Sequence, residues 1–498
     1  MKTLPTHVRA LLVGAGFSGL GMAIKLEEAG VSDFLVVEKG PDVGGTWRDN
    51  SYPGAACDVP SQLYSFSFAP NPEWTSAFSR QPEIQAYIRK VAEDSGTLDR
   101  FAFETTVQSA AWDDTTQRWL VQTSRGEVSA QFLIPGCGPL NEPKLPDIDG
   151  IETFQGEIFH SSRWNHDADL TGQRIAVIGT GASAIQIVPE LQQVAGRLDV
   201  YQRTAPWIIP RNDRRYTGVE KALFKRVPLA QKAYRAAIYA TLESRVPAFT
   251  RVPAVMKPAS VVARWNITRG ITDPDLRRKV TPDFTMGCKR ILISNAYYPA
   301  LDSDNVDLVT DPIAKITGSS IVTQDGVERE IDVLVVATGF HTTDMPIAEQ
   351  LTGADGRTLA DVWAAEGQGA YKGTSVTGFP NLLFLVGPNT GLGHSSMVYI
   401  IESQVRYVTD IVRTAVEEGI GALEPRPEAQ AAWNADLQKR MRPTVWLTGG
   451  CSSWYLDEHG NNTTLWPRQT FTFRRLLARF DRDAYVTHAP VCPESEKV

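Results

Sequence analysis

The chain lacks any uninterrupted apolar run of about 18 residues, the length a helix needs to cross a bilayer. Nothing in its 498 residues reads as a membrane span. Its start, Met1 to Arg9, has neither the apolar stretch nor the small-residue cleavage site of a signal peptide. Cysteine is scarce and scattered: Cys57, Cys137, Cys288, Cys451 and Cys492 include no C-x-x-C pair. That absence excludes the flavoproteins that reduce disulfides through a redox-active dithiol. It also excludes zinc sites built of cysteine, and no metal is expected. A reduced, cytoplasmic protein fits this usage. Excess positive charge is missing too, and a net charge of −7 argues against a nucleic-acid surface. Neither nucleic acid nor membrane is an expected partner, and the chain is read as a monomer or small homo-oligomer.

What is present is an ordinary globular composition, 42% hydrophobic and 21% charged, in a chain long enough for two or three lobes. Val8 to Val13 reads as a buried strand, followed by Gly14-Ala15-Gly16-Phe17-Ser18-Gly19. A helix is expected from about Leu20 to before Gly30, then a strand from Phe34 to Val37 closing on Glu38. Gly14, Gly16 and Gly19 allow a tight turn and close approach of backbone to a pyrophosphate seated on the helix N-terminus. Glu38 then stands where a carboxylate can accept bonds from a ribose diol, as in FAD. The same unit returns at Arg174–Ile178 with Gly179, Gly181, Ser183 and Ala184. Here Arg203, followed by Thr204, stands at the same spacing after Gly179 as Glu38 after Gly14. A guanidinium there pairs with a ribose 2′-phosphate that a carboxylate would repel, which points to NADP. The fold class that follows is α/β, with two Rossmann-like dinucleotide-binding domains and a helical insertion in the NADP domain.

The expected boundaries are 1–150 for the first part of the FAD-binding domain and 151–210 for the first part of the NADP-binding domain. The insertion takes 211–285, the NADP domain resumes over 286–343, and the FAD domain over 344–498. The insertion rests on helical spacing of Leu223, Phe224, Val227, Tyr234, Ile238 and Leu242, with a break at Pro228. It is expected to wall the substrate entrance. Ile331 to Phe340 reads as a buried strand ending in a small-residue turn, the return crossing between lobes.

Between the two glycine turns, Phe154-Gln155-Gly156-Glu157-Ile158-Phe159-His160-Ser161-Ser162-Arg163-Trp164 resembles the F-x-G-x-x-x-H-x-x-x-W signature of Baeyer–Villiger monooxygenases. Related N- and S-oxidising enzymes typically carry Tyr where Trp164 stands, and the family pattern usually continues with Pro or Asp where this chain has Asn165. A second family signature is matched by Gly44-Gly45-Thr46-Trp47, Tyr52-Pro53-Gly54 and Asp58. Met286-Gly287-Cys288-Lys289-Arg290 is similar to the family segment carrying the active-site arginine. Gly387-Pro388-Asn389-Thr390 and Gly393-His394-Ser395-Ser396 resemble its second FAD-contacting region, and Ser453-Trp454-Tyr455 its mobile loop.

The resemblance implies a catalytic Arg290 partnered by Asp58 and a linker role for His160 and Trp164. It further implies cofactor contacts from Gly45, Thr46, Trp47, Asp58 and Asn389 to FAD, and from Lys289 and Trp454 to NADP. NADPH would reduce FAD, and a flavin peroxide formed with O2 would attack a ketone to give an ester or lactone. Fixed positive charge suits a site where a peroxide and then an oxyanion develop. An N- or S-oxygenating flavin monooxygenase and an uncoupled NADPH oxidase remain the alternatives.

Overall fold

The computed structural model describes residues 3–457 and 459–491. Its first sheet has seven strands in the order Leu351–Thr352, Val107–Asp113, Arg118–Thr123, Gly126–Pro135, His7–Val13, Phe34–Val37, Phe101–Ala102. His7–Val13 is paired in parallel on both sides, by Phe34–Val37 and Gly126–Pro135. Its C-terminal part, Ala10 to Leu12, is buried on both faces and runs apolar without alternation, as a doubly covered parallel strand requires. The C-terminal third returns here: Leu383 N donates to Leu133 O at 3.0 Å and Leu385 N to Pro135 O at 2.9 Å. The second sheet has five strands, all parallel, in the order Val306–Val309, Arg197–Tyr201, Arg174–Ile178, Val333–Val336, Glu157–His160.

Helix Phe17–Glu28 and the 22-residue helix Met397–Glu418 share one core, in which Leu20, Ala23, Val405, Val408, Ile411 and Val412 are buried. The first helix starts earlier than the sequence reading of about Leu20. Phe17, Ser18 and Gly19 already lie in it, because Gly16 takes the extended N-cap conformation. Among the described residues no helix is long and apolar enough to cross a membrane.

The insertion forms Gly218–Arg226 and Pro228–Glu243, followed by Lys257–Gly270. A capping box opens the first of these: Thr217 Oγ1 accepts from Glu220 N at 3.2 Å, and Glu220 Oε2 accepts from Thr217 N at 2.9 Å. Pro228, read as a break, begins the next helix, where its missing N–H costs nothing. In space this helix docks on the first lobe. Gln231 Nε2 donates to Gln62 Oε1 and Asn71 O, each at 2.8 Å, and Arg235 Nη1 to Gln62 O at 2.7 Å. Phe224 and Leu242 are core, whereas Leu223 and Val227 are exposed.

One expectation is overturned. Cys288 and Cys451 are disulfide-bonded across 163 positions, so the chain is not the wholly reduced protein that cysteine spacing suggested. Spacing along the chain reports only local pairs, whereas the fold lays Gly449 against Thr285 (Thr285 N to Gly449 O, 2.9 Å) and so brings the two cysteines together. Cys57 and Cys137 are free thiols, and Cys492 lies outside the described residues.

The two glycine turns differ in how tightly protein closes on them. A Cβ at Gly19 would stand 1.8 Å from Gly14 O, whereas one at Gly181 would meet nothing within 4 Å. Gly19→Ala should therefore destabilise the protein by about 3 kcal/mol, the upper end for overpacking, since backbone must move. Gly181→Ala should change stability by no more than about 0.5 kcal/mol. Urea unfolding of the two variants checks this, and equal losses would refute it.

Candidate active site

The first glycine turn is closed by a carboxylate. Glu38, 4% exposed, ends its strand; its Oε2 accepts from Ala15 N at 2.8 Å and its Oε1 from Gly40 N at 2.7 Å. Arg48 Nη1 lies 2.8 Å from Glu38 Oε1, a partner the sequence reading missed. Arg48 belongs to the short helix Thr46–Asp49, and this pairing brings the second signature beside the first turn. Gly44 N donates to Ala15 O at 2.9 Å, and Gly45 lies against Gly16, where its own Cβ would come within 3.1 Å of Gly16 Cα. Trp47 is buried, its Nε1 donating to Tyr64 Oη at 3.0 Å. Gly14, Gly16, Gly19 and Gly45 thus share one close-packed turn, with Glu38 and helix Thr46–Asp49, which carries Thr46 and Trp47, beside it.

Across from it, Asp58 meets Arg290. Arg290 Nε donates to Asp58 Oδ2 at 2.7 Å and its Nη2 lies 2.7 Å from the same oxygen, over 232 positions of chain. Arg290 Nη1 donates to Leu392 O at 3.2 Å. Both side chains are largely buried, and the Asp58 charge raises the Arg290 pKa, so the guanidinium is permanently charged. Tyr455, fully buried, presents an Oη without a partner, and its pKa is pushed up to about 12, first by burial. The Arg290 charge opposes that rise, which places the phenol within electrostatic reach of the guanidinium.

Orphaned buried polar atoms collect on the converging segments: Ser395 Oγ, Asn462 Nδ2, Thr463 Oγ1 and Thr464 Oγ1. Asn389 is buried and spends both N–H donors on Asn462 O (2.8 Å) and Leu465 O (3.1 Å), which fixes this loop. Buried donors without partners cost about 1–3 kcal/mol each unless an acceptor arrives. An oxygen- and nitrogen-rich ring cofactor is such an acceptor. The donor set fits a flavin nucleotide.

The second turn, Gly179 to Ser183, leads into helix Ala184–Gln192, and Gly181 is open to solvent. Thr180 Oγ1 donates to Thr204 O at 3.1 Å, which holds the Arg203–Thr204 corner over it. Lys289, its Nζ over the Phe284 ring, lies within electrostatic reach of Arg203: its pKa is lowered first by burial and then by the Arg203 charge. Trp454 is 48% exposed, on the outer side of its loop, with its ring 4.5 Å from Tyr455.

His160 ends strand Glu157–His160, and Trp164 follows it in one apolar cluster with Phe159, Tyr52 and Ala55 of the second-signature segment. His160 Nε2 donates to Gly339 O at 2.9 Å and Nδ1 accepts from Ser162 N at 3.2 Å, which fixes the neutral tautomer. Trp164 packs edge-on against Phe159 at 4.7 Å. His160 thereby ties the linker to the small-residue turn that follows strand Val333–Val336.

Sequence reasoning also missed the buried pair His394–Glu243. His394 Nε2 lies 3.2 Å from Glu243 Oε1, and Glu243 accepts from Thr470 N at 2.9 Å and Thr470 Oγ1 at 2.7 Å. The pair joins the insertion helix, the segment after Leu392 and the C-terminal helix. His394 stood in a quoted motif, but nothing along the chain marks Glu243 as its partner. An open cleft of about 430 Å³, lined by Tyr239, Glu243, Pro247, Gln469 and Phe471 among others, lies beside it.

Two glycine turns at helix N-termini, one closed by a carboxylate and one by cations, with a fixed arginine from the second unit reaching Asp58 of the first, define an oxidoreductase that binds two nucleotides. Residues 11–246 match the pyridine nucleotide-disulphide oxidoreductase family. A Baeyer–Villiger monooxygenase of Streptomyces coelicolor is 51% identical, with 97% of this chain and 93% of that protein covered. One of Pseudomonas aeruginosa is 48% identical over 100% of this chain and 96% of its own length. The structure is similar to that of an oxidized steroid monooxygenase bound to NADP (TM-score 0.86, 31% identity, 97% and 100% covered). It is also similar to cyclohexanone monooxygenase from Rhodococcus sp. Phi1 bound to NADP+ (TM-score 0.87, 28%, 98% and 100%). The chain belongs to the Baeyer–Villiger monooxygenase family.

Two outcomes follow from this geometry. Arg203→Ala should raise the Michaelis constant for NADPH roughly 10- to 100-fold, the worth of one charge-assisted bond, and leave that for NADH nearly unchanged. Steady-state kinetics with both coenzymes checks it, and equal effects would make Arg203 structural. His160 is held down to about 4, chiefly by burial, below the ordinary value near 6.5. Between those values the unfolded chain binds a proton that the folded chain does not, so stability should fall as pH drops from about 6.5 to 4. Denaturant melts at stepped pH should show a shallower fall in His160→Gln than in wild type; parallel curves would contradict the assignment.

Proposed function

We propose that this chain converts ketones to esters or lactones with NADPH and O2, holding FAD at the Gly14–Gly19 turn and NADP at the Gly179–Ala184 turn. The observation that carries the reading is the Arg290–Asp58 pair, a charged guanidinium held between the two nucleotide cradles. FAD, once reduced by NADPH, supplies the oxygen-activating chemistry. The chain's own residues position and stabilise.

Glu38 keeps the first turn closed and offers its remaining lone pairs to the FAD ribose. Thr46, Trp47 and Asn389 shape the floor on which the ring system lies. Arg203, Thr204 and Lys289 hold the NADP 2′-phosphate, while Trp454 covers the nicotinamide end. Arg290 acts on the substrate. Of its five N–H groups, three are engaged by Asp58 and Leu392 O, which leaves one on each terminal nitrogen. These aim a fixed charge at a carbonyl oxygen as it gains negative charge, without reorganisation at the moment of reaction. Asp58 keeps the fork from turning away. The buried apolar cluster of Trp207, Phe249, Met256, Met286 and Trp446 packs with Cys288 and Tyr455 and keeps water from that side of the arginine segment.

Arg290→Ala should lower ketone oxygenation about 100- to 1000-fold, on the order of 3–4 kcal/mol at the transition state, while FAD stays bound. Arg290→Lys keeps charge but loses the planar fork, so rescue should be partial. Product analysis of purified flavin-loaded variants, on cyclic, linear and aryl ketones and one tertiary amine, is the test. Turnover of Arg290→Ala within a factor of a few of wild type would remove the proposed role. Oxidation of the amine alone would favour the N-oxygenating alternative.

A further inference from the structure

The disulfide Cys288–Cys451 lies where the two halves of the site meet. Cys288 immediately precedes Lys289 and Arg290, and Cys451 precedes Ser453, Trp454 and Tyr455. The segment 449–456 lies directly on the arginine segment: a Cβ at Gly449 would come within 2.6 Å of Cys288 Cβ. Among the described residues, further contacts fastening it there include the Thr285–Gly449 hydrogen bond and apolar packing of Tyr455 and Leu456 with Met286 and Trp446. Cys288 is fully buried and Cys451 is partly exposed, so one sulfur of the pair is reachable from solvent. The free thiols differ. Burial pushes Cys137 up to about 12 and Cys57 higher still, so neither forms the thiolate that oxidants attack.

We propose that Cys288 and Cys451 form a reversible redox-modification site that takes a hydroperoxide as oxidant and a dithiol as reductant. The disulfide pins segment 449–456 over Arg290, and the reduced pair lets it lift. In the oxidising direction the Cys451 thiolate attacks the O–O bond of hydrogen peroxide, giving a sulfenic acid and, with a proton, one water. Cys288 sulfur then attacks Cys451 sulfur; the S–S bond forms, the S–O bond breaks and a second water leaves. Two thiols lose two electrons and one peroxide becomes two waters. In the other direction an external dithiol attacks Cys451 sulfur, passes through a mixed disulfide and leaves as its own disulfide.

The consequence for turnover rests on the oxygenase reading. NADPH oxidation that escapes coupling releases hydrogen peroxide beside this pair. Peroxide then closes the segment that shields the site, and leakage falls. A leaking site would latch itself.

The test begins with thiol counting on the purified holoenzyme, alkylated under denaturing conditions and weighed intact. Of five cysteines, three should alkylate after brief hydrogen peroxide treatment and five after dithiothreitol, with a Cys288–Cys451 linked peptide in the first sample only. NADP+ release, followed by stopped-flow displacement and needing no ketone, should be about fivefold or more faster from the reduced enzyme. The share of NADPH ending as hydrogen peroxide should rise with it. Cys451→Ser should behave as the reduced form under both conditions, and reduction of wild type gives the same comparison without any substitution. Five alkylated thiols after peroxide, or a linked peptide with unchanged NADP+ release, would overturn the proposal. So would a Cys451→Ser enzyme that still responds to dithiothreitol as wild type does. Failure of both redox forms to oxygenate any ketone would instead count against the function, leaving the thiol count and NADP+ release to judge the latch.

Discussion

The site depends on one ion pair, Arg290 with Asp58, because no local element could make it. Its partners stand 232 positions apart, on either side of the second glycine unit, and meet at 2.7 Å. Both side chains are only partly exposed, so each charge is held in place by the other rather than by bulk water. The same guanidinium reaches Leu392 O, and so gathers three stretches of chain around one charge. Whatever brings the two nucleotide units into register is therefore registered on this contact. A positive centre between them is the chemical result.

Much of the scaffold is legible along the chain, and for a physical reason. Strands Phe34–Val37 and Arg174–Ile178 run where the apolar stretches stand, because a parallel strand buried on both faces must be continuously apolar. Glycine marks the turns, since Gly14 and Gly179 both adopt positive φ at the strand ends. The acid at 38 against the arginine at 203 distinguishes the two units by charge alone. Helix starts were less legible: Ser18 and Gly19, poor helix formers, are helical because packing outweighs propensity.

What stayed hidden is what the fold alone brings together. Glu243 ends an insertion helix and carries no motif, yet it is the acceptor shared by His394 and Thr470. Arg48 lies inside a quoted signature, but its pairing with Glu38 depends on how Gly44 and Gly45 fold back on the first turn. Cys288 and Cys451 follow the same rule. Spacing can expose a C-x-x-C pair, but a bond across 163 positions needs the tertiary structure.

The two nucleotide units also differ in how charge is balanced before a ligand arrives. At the first, the Glu38 charge is already balanced by two backbone N–H groups and Arg48. At the second, Lys289 lies within electrostatic reach of Arg203, and the Lys289 charge is disfavoured by burial and by that neighbour. An anion placed between two such cations would relieve this repulsion as it formed its own bonds. The lysine of the second unit stands in the chain between Arg290, paired with Asp58, and the disulfide-bonded Cys288.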